Sequence, residues 1–222
     1  MPAGQDDRRF APEVFRPECR LCPRLARHLA KMRASHPSYH NAPVAPFGDP
    51  KAPLLIVGLA PGAHGANATG RPFTGDHAGV ILYSTLHAAG LASRPVSLAR
   101  GDGLTLRNCR ISNAVKCLPP ANKPTTGEVD TCNRYLAAEL ERSTEVRAIL
   151  ALGAIAHRAV LRALELRLNV YGFAHGREHR LPDGRALVDS YHCSRYNTQT
   201  RRLTAPMFAE VVQRARDLAR ER

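Results

Sequence analysis

Short apolar runs alternate along the chain with longer segments of helical spacing. The runs typical of buried strands are LLIVGLA (54–60), RISNAVKC (110–117), VRAILALG (146–153) and RALVDSYH (185–192). Apolar residues at helical spacing occupy residues 23–32, 76–91, the segment after Thr125, 154–166 and about 204–220. Strands that alternate with helices predict an α/β fold, here a three-layer α/β/α arrangement around a central four-stranded, mainly parallel sheet.

The helix after the second strand carries its own start signal. Thr125 and Glu128 have the spacing of a capping box, in which each side chain bonds the backbone at the other residue. One face of this helix would consist of Val129, Cys132, Leu136 and Leu140. Cys132 is therefore expected to point towards the protein interior.

Three polar loops follow the carboxyl ends of the predicted strands. They are GLAPGAHGANATGRPFTGD (58–76), CLPPANKP (117–124) and YHCSRYNTQTRR (191–202). Ligands of parallel α/β sheets bind in the crevice at these strand ends, so the loops are expected to converge on one ligand. The first loop lacks the GK[ST] ending of a P-loop and does not match GxGxxG. The third offers donors suited to phosphate oxygens, although a solvated loop would have the same composition.

The chain is strongly basic. It has 32 Lys+Arg against 19 Asp+Glu, a net charge of +13 and a pI near 10.2. This balance indicates a polyanionic partner. Nucleic acid is favoured over an acidic membrane surface. The basic residues extend from Arg8 to Arg222, so a merely soluble basic surface is the alternative.

Length and composition suit one domain with its own core, since the chain has 222 residues and 44% apolar content. We expect a flexible basic leader over residues 1–17, a single domain over 18–222, and a monomer. The apolar stretches are shorter than the roughly 20 residues of a membrane span, and MPAGQDDRRF has no hydrophobic signal-peptide core. A cytoplasmic location without a membrane partner is expected, and disulfides are rare there.

The cysteines of this chain are not expected to form disulfides, so their presence needs another explanation. They are Cys19, Cys22, Cys109, Cys117, Cys132 and Cys193. The C-x2-C turn at 19–22 is a common unit of thiolate metal sites, and Cys117 and Cys132 could add ligands from the ends of neighbouring elements. A redox dithiol is disfavoured because Cys19 precedes the first convincing strand. Buried structural cysteines are the alternative.

The loop sequences also carry a resemblance to a known family. GLAP with GRPFTGD, SNAVKC with PPANKPT, and HCS after the final strand resemble, in this order, the iron–sulfur branch of the uracil-DNA glycosylase superfamily. The resemblance spans about residues 17–205 and is greatest to family 5 (type b). It implies a DNA-repair enzyme that hydrolyses the N-glycosidic bond of uracil, and of other deaminated bases such as hypoxanthine and xanthine, in duplex or single-stranded DNA. Such an enzyme turns its target base out of the helix and leaves an abasic site.

The resemblance further implies a [4Fe–4S] cluster. Its ligands would be Cys19, Cys22, Cys117 and Cys132, which leaves Cys109 and Cys193 as free thiols. A zinc ion with four cysteine ligands fits the same spacing, and only the resemblance favours iron.

By the same resemblance, the base-binding residues can be placed on this sequence. Phe73 would stack on the flipped base, Asn113 would read its edge, and loop amides near Gly62 would bind a carbonyl oxygen. A plain core aromatic and a satisfied buried amide are the alternatives for Phe73 and Asn113. Further contacts to the base are expected from Gly58, Ala60 and Ser194, and contacts to DNA from Arg195, Arg201 and Arg202.

One position departs from the best-known branch of the family. There the residue two after the first glycine is the aspartate that orients water, whereas this chain has Ala60, as the family 5 pattern does. The base leaves as an anion, so stabilising that anion can supply much of the rate. We expect His192 to donate to the departing base oxygen and Asp76 or Asn122 to hold water or the base. N-capping alone would also explain an aspartate at position 76.

Two segments compete for the family's third motif, His-Pro-Ser. His36-Pro37-Ser38 spells it but precedes the first strand, so it is not expected at the strand ends in the same order. His192-Cys193-Ser194 has the expected place, with Cys193 instead of proline. Two other interpretations stay open: a non-catalytic iron–sulfur DNA-binding protein, because of Ala60, and a nucleotide- or cofactor-binding α/β enzyme.

Overall fold

A computed structural model describes residues 15–221 of the chain, so most of the predicted leader over 1–17 lies outside the described residues. The strands are β1 (Phe47–Gly48), β2 (Leu54–Gly58), β3 (Cys109–Asn113), β4 (Ala148–Leu152), β5 (Glu178–Arg180) and β6 (Ala186–Ser190). The helices are α1 (Pro23–Ser35), α2 (Ala66–Thr69), α3 (His77–Ala88), α4 (Thr126–Arg142), α5 (Ala154–Ala163), α6 (Arg195–Gln199) and α7 (Ala205–Arg220). A 3-10 turn spans Pro120–Asn122.

The strands form one sheet in the order β1-β3-β2-β4-β6-β5. The four inner strands are mutually parallel, which confirms the predicted parallel sheet. β1 and β5 are antiparallel additions at the two edges, so the sheet has six strands and not four. Neither edge strand has an apolar run: β1 is two residues long and β5 reads Glu-His-Arg. Short or charged edge strands discourage pairing with other chains.

Both faces of the sheet are covered, as continuous apolar strands require. In β2, Leu54 and Ile56 belong to the core that α3 and α7 complete, whereas Leu55 and Val57 belong to the core on the other face. Alternate residues of a strand point to opposite faces, so one apolar run supplies both cores. The three-layer arrangement predicted from the sequence is confirmed.

The predicted capping box starts α4. The Thr125 hydroxyl accepts from the Glu128 amide at 3.3 Å, and a Glu128 carboxylate oxygen accepts from the Thr125 amide at 2.8 Å. The same carboxylate receives two bonds of 2.7 Å from the Arg24 guanidinium. The helix start therefore also holds α1, and Cys132 is buried on the inner face of α4 as expected.

The chain changes direction across the sheet at β2, whose neighbours β3 and β4 lie on opposite sides of it. A crevice opens beyond the carboxyl end of a strand at such a point. The glycine-rich loop over residues 58–76 begins there. Within residues 15–221, the helices are too short or too polar to cross a membrane.

Candidate functional site

A pocket of about 700 Å³ opens at the carboxyl ends of β2, β3 and β6. The three polar loops converge on it, as the sequence predicts. The predicted residues that line it are Ala60, Gly62, Phe73, Asp76, Asn113, Asn122, His192, Ser194 and Arg195. His64 and His77 line it as well and were not predicted. Small residues of the first loop form one wall, which leaves space for a flat ring.

Phe73 is held in an unusual backbone conformation beside the pocket. Its φ is 54°, in the left-handed region, and the hydroxyl of Tyr83 donates to the carbonyl of the preceding Pro72 at 2.8 Å. Gly58 does not line the pocket, but a Cβ there would come within 2.6 Å of the Phe73 ring and 2.5 Å of Asn113 Oδ1. Gly58 thus allows both side chains to approach the end of β2.

Asn113 is the last residue of β3 and only 3% exposed. Its Oδ1 is buried and has no hydrogen-bond partner among the described residues. A buried acceptor without a donor is costly, by about 1–3 kcal/mol, so this oxygen is poised to accept from a ligand N–H. The side chain is therefore not the satisfied amide that the sequence left as an alternative.

His192 follows β6 and stacks on Phe73, with ring centroids 6.0 Å apart and planes inclined by 28°. The side chain reaches the pocket but is otherwise enclosed by protein. Burial lowers the pKa of His192 to about 4, so the imidazole is neutral at physiological pH. A neutral imidazole can donate one hydrogen bond into the pocket without bringing a positive charge.

Asp76 caps α3 and also borders the pocket. One carboxylate oxygen accepts from the Gly79 amide at 2.8 Å, so the expected N-cap is present. The other oxygen lies beside Gly65, where a Cβ would meet it at 2.5 Å. Burial raises the pKa of Asp76. The cap therefore occupies one oxygen and leaves the second near the pocket.

The remaining predicted residues lie at the rim or beyond it. Asn122 ends the 3-10 turn with a φ of 56° and is exposed at the rim. Ser194 caps the short helix α6, accepting from the Asn197 amide at 3.4 Å. Arg201 and Arg202 are exposed on the loop after α6, outside the pocket, and the Arg202 guanidinium lies 4.4 Å from the centre of the Tyr191 ring.

Four cysteines line one cavity between the start of α1, the segment after β3 and α4: Cys19, Cys22, Cys117 and Cys132. Burial and the neighbouring Cys132 raise the pKa of Cys22 to about 11. Burial and neighbouring thiols also raise the pKa of Cys117. Crowded thiols of this kind become stable thiolates only beside a strong positive charge, such as a bound metal.

Cys109 and Cys193 lie outside this cavity and are buried elsewhere in the core. Burial raises the pKa of each to about 12. Their sulfurs contact backbone carbonyls, Leu91 at 3.4 Å and Ala78 at 3.5 Å. Both are therefore inert core thiols.

The sequence analysis did not predict the buried ion pair that anchors the first loop. Arg71, only 5% exposed, donates from one nitrogen to Asp102 at 2.8 Å and to Ser97 at 3.0 Å. Its guanidinium also lies 4.5 Å from the centre of the Phe47 ring. Although burial opposes it, the bond from Arg71 lowers the pKa of Asp102 and keeps it ionised. This ion pair anchors Arg71, which does not line the pocket, at the start of the segment that carries Phe73 and Asp76.

Comparisons with known proteins agree with this geometry. The sequence model of the uracil DNA glycosylase superfamily matches residues 45–216. A type-5 uracil-DNA glycosylase of Thermus thermophilus is 50% identical over 206 residues, which cover 90% of this chain and 94% of the relative. A type-5 enzyme of Pyrobaculum aerophilum is 43% identical over 201 residues, 89% and 87% of the two chains. A type-4 uracil-DNA glycosylase of the same organism is 35% identical over 140 residues, 63% of each chain. The chain belongs to the uracil DNA glycosylase superfamily.

Proposed function

We propose that the protein removes uracil from DNA by hydrolysing its N-glycosidic bond, which leaves an abasic site for repair. The observation that carries this proposal is the unpartnered Oδ1 of Asn113 in a pocket that also holds the stacked Phe73 and His192 rings. Uracil presents an N–H donor between two carbonyl acceptors. A fixed amide can accept from that N–H and donate to the adjacent carbonyl, whereas cytosine lacks the N–H.

Extraction of the base from the duplex costs a few kcal/mol, which contacts in the pocket must offset. Phe73 supplies a flat apolar surface for stacking, and its ring is held in place by Gly58 and by the bond from Tyr83 to Pro72. The first loop brings its backbone close to the base because it consists of small residues. Amides near Gly62 bind a carbonyl oxygen of the base.

Bond cleavage leaves negative charge on the departing base. A neutral His192 donates a hydrogen bond to the base oxygen that gains this charge, and the bond strengthens as the transition state is reached. Its ring is already oriented by Phe73, so little reorganisation is needed. Arg195 at the pocket rim adds positive potential on the side of the DNA phosphates.

Water must approach the sugar without a carboxylate at position 60. Asp76 and Asn122 are two polar side chains of the pocket wall that can hold it. The free oxygen of Asp76 is the stronger acceptor, whereas Asn122 can both donate and accept. We assign them to positioning the water, with leaving-group stabilisation at His192 as the larger effect.

Hypoxanthine and xanthine are further substrates that the pocket supports. Both present an N–H next to a carbonyl, the same pattern that Asn113 reads in uracil. Their second ring needs additional space, and the wall formed by Gly62, Ala63 and Gly65 provides it within a pocket of about 700 Å³.

A base-release assay tests the function directly. Oligonucleotides carrying one uracil, hypoxanthine, xanthine, cytosine or thymine are incubated with the protein, and abasic sites are cleaved with alkali. Release of uracil, with cytosine retained, is expected, and thymine shows whether the pocket also excludes a methyl group on the same base pattern. If uracil stays attached at stoichiometric enzyme, the glycosylase proposal is wrong and a non-catalytic DNA-binding protein takes its place.

Asn113→Asp is expected to reduce single-turnover uracil release by about 10²–10³-fold. The carboxylate keeps the acceptor but loses the donor, and its charge opposes the charge that develops on the base. Asn169→Asp, at an exposed position outside the pocket, introduces the same charge and is expected to leave the rate unchanged. Similar rates for the two variants would show that Asn113 does not read the base.

We infer that the four-cysteine cavity holds a [4Fe–4S] cluster. Among residues 15–221, His157, His179 and Asp189 form the one group of three or more His, Cys, Asp or Glu residues whose ligand atoms all lie within 4.8 Å of one another, so no three of the cysteine sulfurs do. A tetrahedral zinc ion, with Zn–S bonds of about 2.3 Å, would bring its sulfurs to about 3.8 Å from one another. The wider spacing supports a larger group.

The cluster would be held by Cys19 and Cys22 before α1, Cys117 after β3 and Cys132 on α4. It supplies cross-links between these elements and is not assigned a step in base release. The amide of Lys116 donates to Cys132 Sγ at 3.3 Å, a bond typical of cluster thiolates.

Arg201→Gln with Arg202→Gln is expected to flatten the salt dependence of binding to an abasic-site duplex. Each phosphate contact contributes about −0.9 to the slope of log K against log salt, so the slope should change by about 1.8. Arg142→Gln with Arg167→Gln removes the same charge from exposed positions outside the pocket and serves as the control. If the slope of log K against log salt is the same in the two double variants, Arg201 and Arg202 do not contact the DNA.

A further inference from the structure

A second groove, of about 570 Å³, runs along α1. Its charged side chains are Glu18, Arg20, Arg27 and Arg33. Arg20 and Arg27 are exposed and make no hydrogen bond or ion pair with other described residues. Arg33 donates from one nitrogen to the Asn41 carbonyl at 2.6 Å. The groove therefore has a net positive charge and guanidinium groups free to bind an anion. We call it the α1 groove.

An aromatic cluster borders the base pocket and includes residues that lie in the chain between Arg33 and Asn41 of the α1 groove. It consists of His36, Tyr39 and His64, with the His36 ring 4.7 Å from Tyr39 and 5.6 Å from His64. The Tyr39 hydroxyl and His64 Nδ1 are 3.1 Å apart. His64 lines the base pocket, and Asn41, two residues after Tyr39, lines the α1 groove. The segment His36-Pro37-Ser38 thus lies closer to the pocket than its place in the sequence suggests.

Asn41 fixes the relative position of groove and pocket. It is fully buried, and its Oδ1 accepts from the Asn67 side chain of α2 at 2.9 Å. Its own amide nitrogen donates to the His36 carbonyl at 2.8 Å, and its backbone amide donates to the Asn67 carbonyl at 3.2 Å. α2 belongs to the loop that lines the pocket, so these bonds tie the two surfaces together.

We propose that the aromatic cluster and the α1 groove bind an unpaired stretch of the DNA strand next to the base in the pocket. This inference rests on the proposed function. Proteins that hold single strands combine aromatic rings, on which bases stack, with a basic groove that follows the phosphates. Bases of an intact duplex are already stacked on one another, so this cluster favours unpaired neighbours of the lesion.

The length of the α1 groove suits a short stretch. Arg27 and Arg33 are six residues apart on a helix that rises 1.5 Å per residue, which separates them by about 9 Å. A stacked strand rises about 3.4 Å per nucleotide along its axis, so this distance corresponds to two or three nucleotides. The groove therefore extends the contact by a few nucleotides beyond the pocket.

Fluorescence anisotropy with single-stranded oligonucleotides that carry one abasic-site analogue tests the inference. The short oligonucleotide has two nucleotides on each side of the analogue, and the long one has ten. The wild type is expected to bind the long strand at least about tenfold more tightly. Arg20→Gln with Arg27→Gln should remove most of this advantage and change the salt slope by about 1.4, since each single-strand contact contributes about 0.7.

Tyr39→Leu tests the stacking contribution with the same oligonucleotides. It should weaken long-strand binding by at least about fivefold, the lower limit for loss of one stacked base, and leave binding of a fully paired abasic-site duplex unchanged. Arg142→Gln with Arg167→Gln is the charge-matched control and should behave as the wild type.

Three results would overturn the inference: equal binding of short and long strands by the wild type, an equal loss in the charge-matched control, or an equal loss on the duplex. Uracil release from the short oligonucleotide separates this inference from the proposed function. The double variant Arg20→Gln with Arg27→Gln and the variant Tyr39→Leu should both retain release from the short oligonucleotide. Its absence in the wild type would refute the glycosylase activity, whereas retained release with no advantage of the long strand would refute only the α1 groove.

Discussion

His192→Ala is expected to slow single-turnover uracil release by about 10²–10³-fold, the usual effect of losing one preorganised donor to a developing anion. Ala60 provides no carboxylate at its position, so stabilisation of the leaving base carries more of the barrier. The ring of His192 stacks on Phe73 and is neutral, which places a donor beside the base without prior proton uptake.

Asp76→Asn is the matched comparison and is expected to have the smaller effect. Asparagine caps a helix about as well as aspartate, so α3 keeps its start while the carboxylate is lost. Both variants must bind an abasic-site duplex nearly as well as the wild type. If Asp76→Asn abolishes release and His192→Ala stays within a few-fold of the wild type, the assignments are reversed and Asp76 orients the water.

The pH dependence of release provides a second measurement on the same variants. A pKa of about 4 keeps His192 neutral above pH 5, so its protonation should not reduce the rate near pH 6.5. Burial raises the pKa of Asp76, and a rate that needs its carboxylate falls as the pH falls through that raised value. An acidic limb that disappears in Asp76→Asn belongs to Asp76.

If the cavity holds the proposed [4Fe–4S] cluster, the purified protein has broad visible absorbance, and Cys117→Ser is expected to remove it and to lower the stability of the protein. Loss of a cross-link between distant elements costs about 3–5 kcal/mol, by analogy with a disulfide. For a chain of this size that corresponds to a decrease in Tm of about 6–20 °C. Iron analysis and thermal unfolding under anaerobic conditions measure both effects.

Cys109→Ser is the control for that experiment. Cys109 is fully buried but lies outside the four-cysteine cavity, so the colour should persist. Equimolar zinc without iron in the wild type would contradict the cluster and would assign the cavity to a zinc ion.

The centre of the fold could be predicted because the four parallel strands are buried on both faces. Leu54, Leu55, Ile56 and Val57 are all fully buried, and such runs differ sharply from their surroundings. β5 could not be predicted in this way, because Glu178 and Arg180 are exposed and its pairing is set by the adjacent β6. Edge strands obtain their structure from a neighbour, and a local pattern does not contain that information.

The site could be located because parallel strands bring their carboxyl ends to one edge. This rule placed the three loops together, and the family resemblance selected Phe73 and His192 within them and Asn113 at the end of β3. The sequence could not show that Asn113 Oδ1 lacks a hydrogen-bond partner, because that depends on how the side chains pack. The ion pair between Arg71 and Asp102 was also missed, because the two residues are 31 positions apart and Asp102 lies outside the motifs.

α1 is attached to a part of the chain that is synthesised much later than α1 itself. Arg24 and its partner Glu128 are 104 positions apart, and the cysteines before α1 are similarly distant from Cys132. At about 5–20 residues per second, α1 leaves the ribosome roughly 5–20 s before its binding surface is synthesised. The helix therefore docks late in biosynthesis. Iron starvation should then leave a protein with a formed sheet but an undocked amino-terminal segment, which proteases would cleave first.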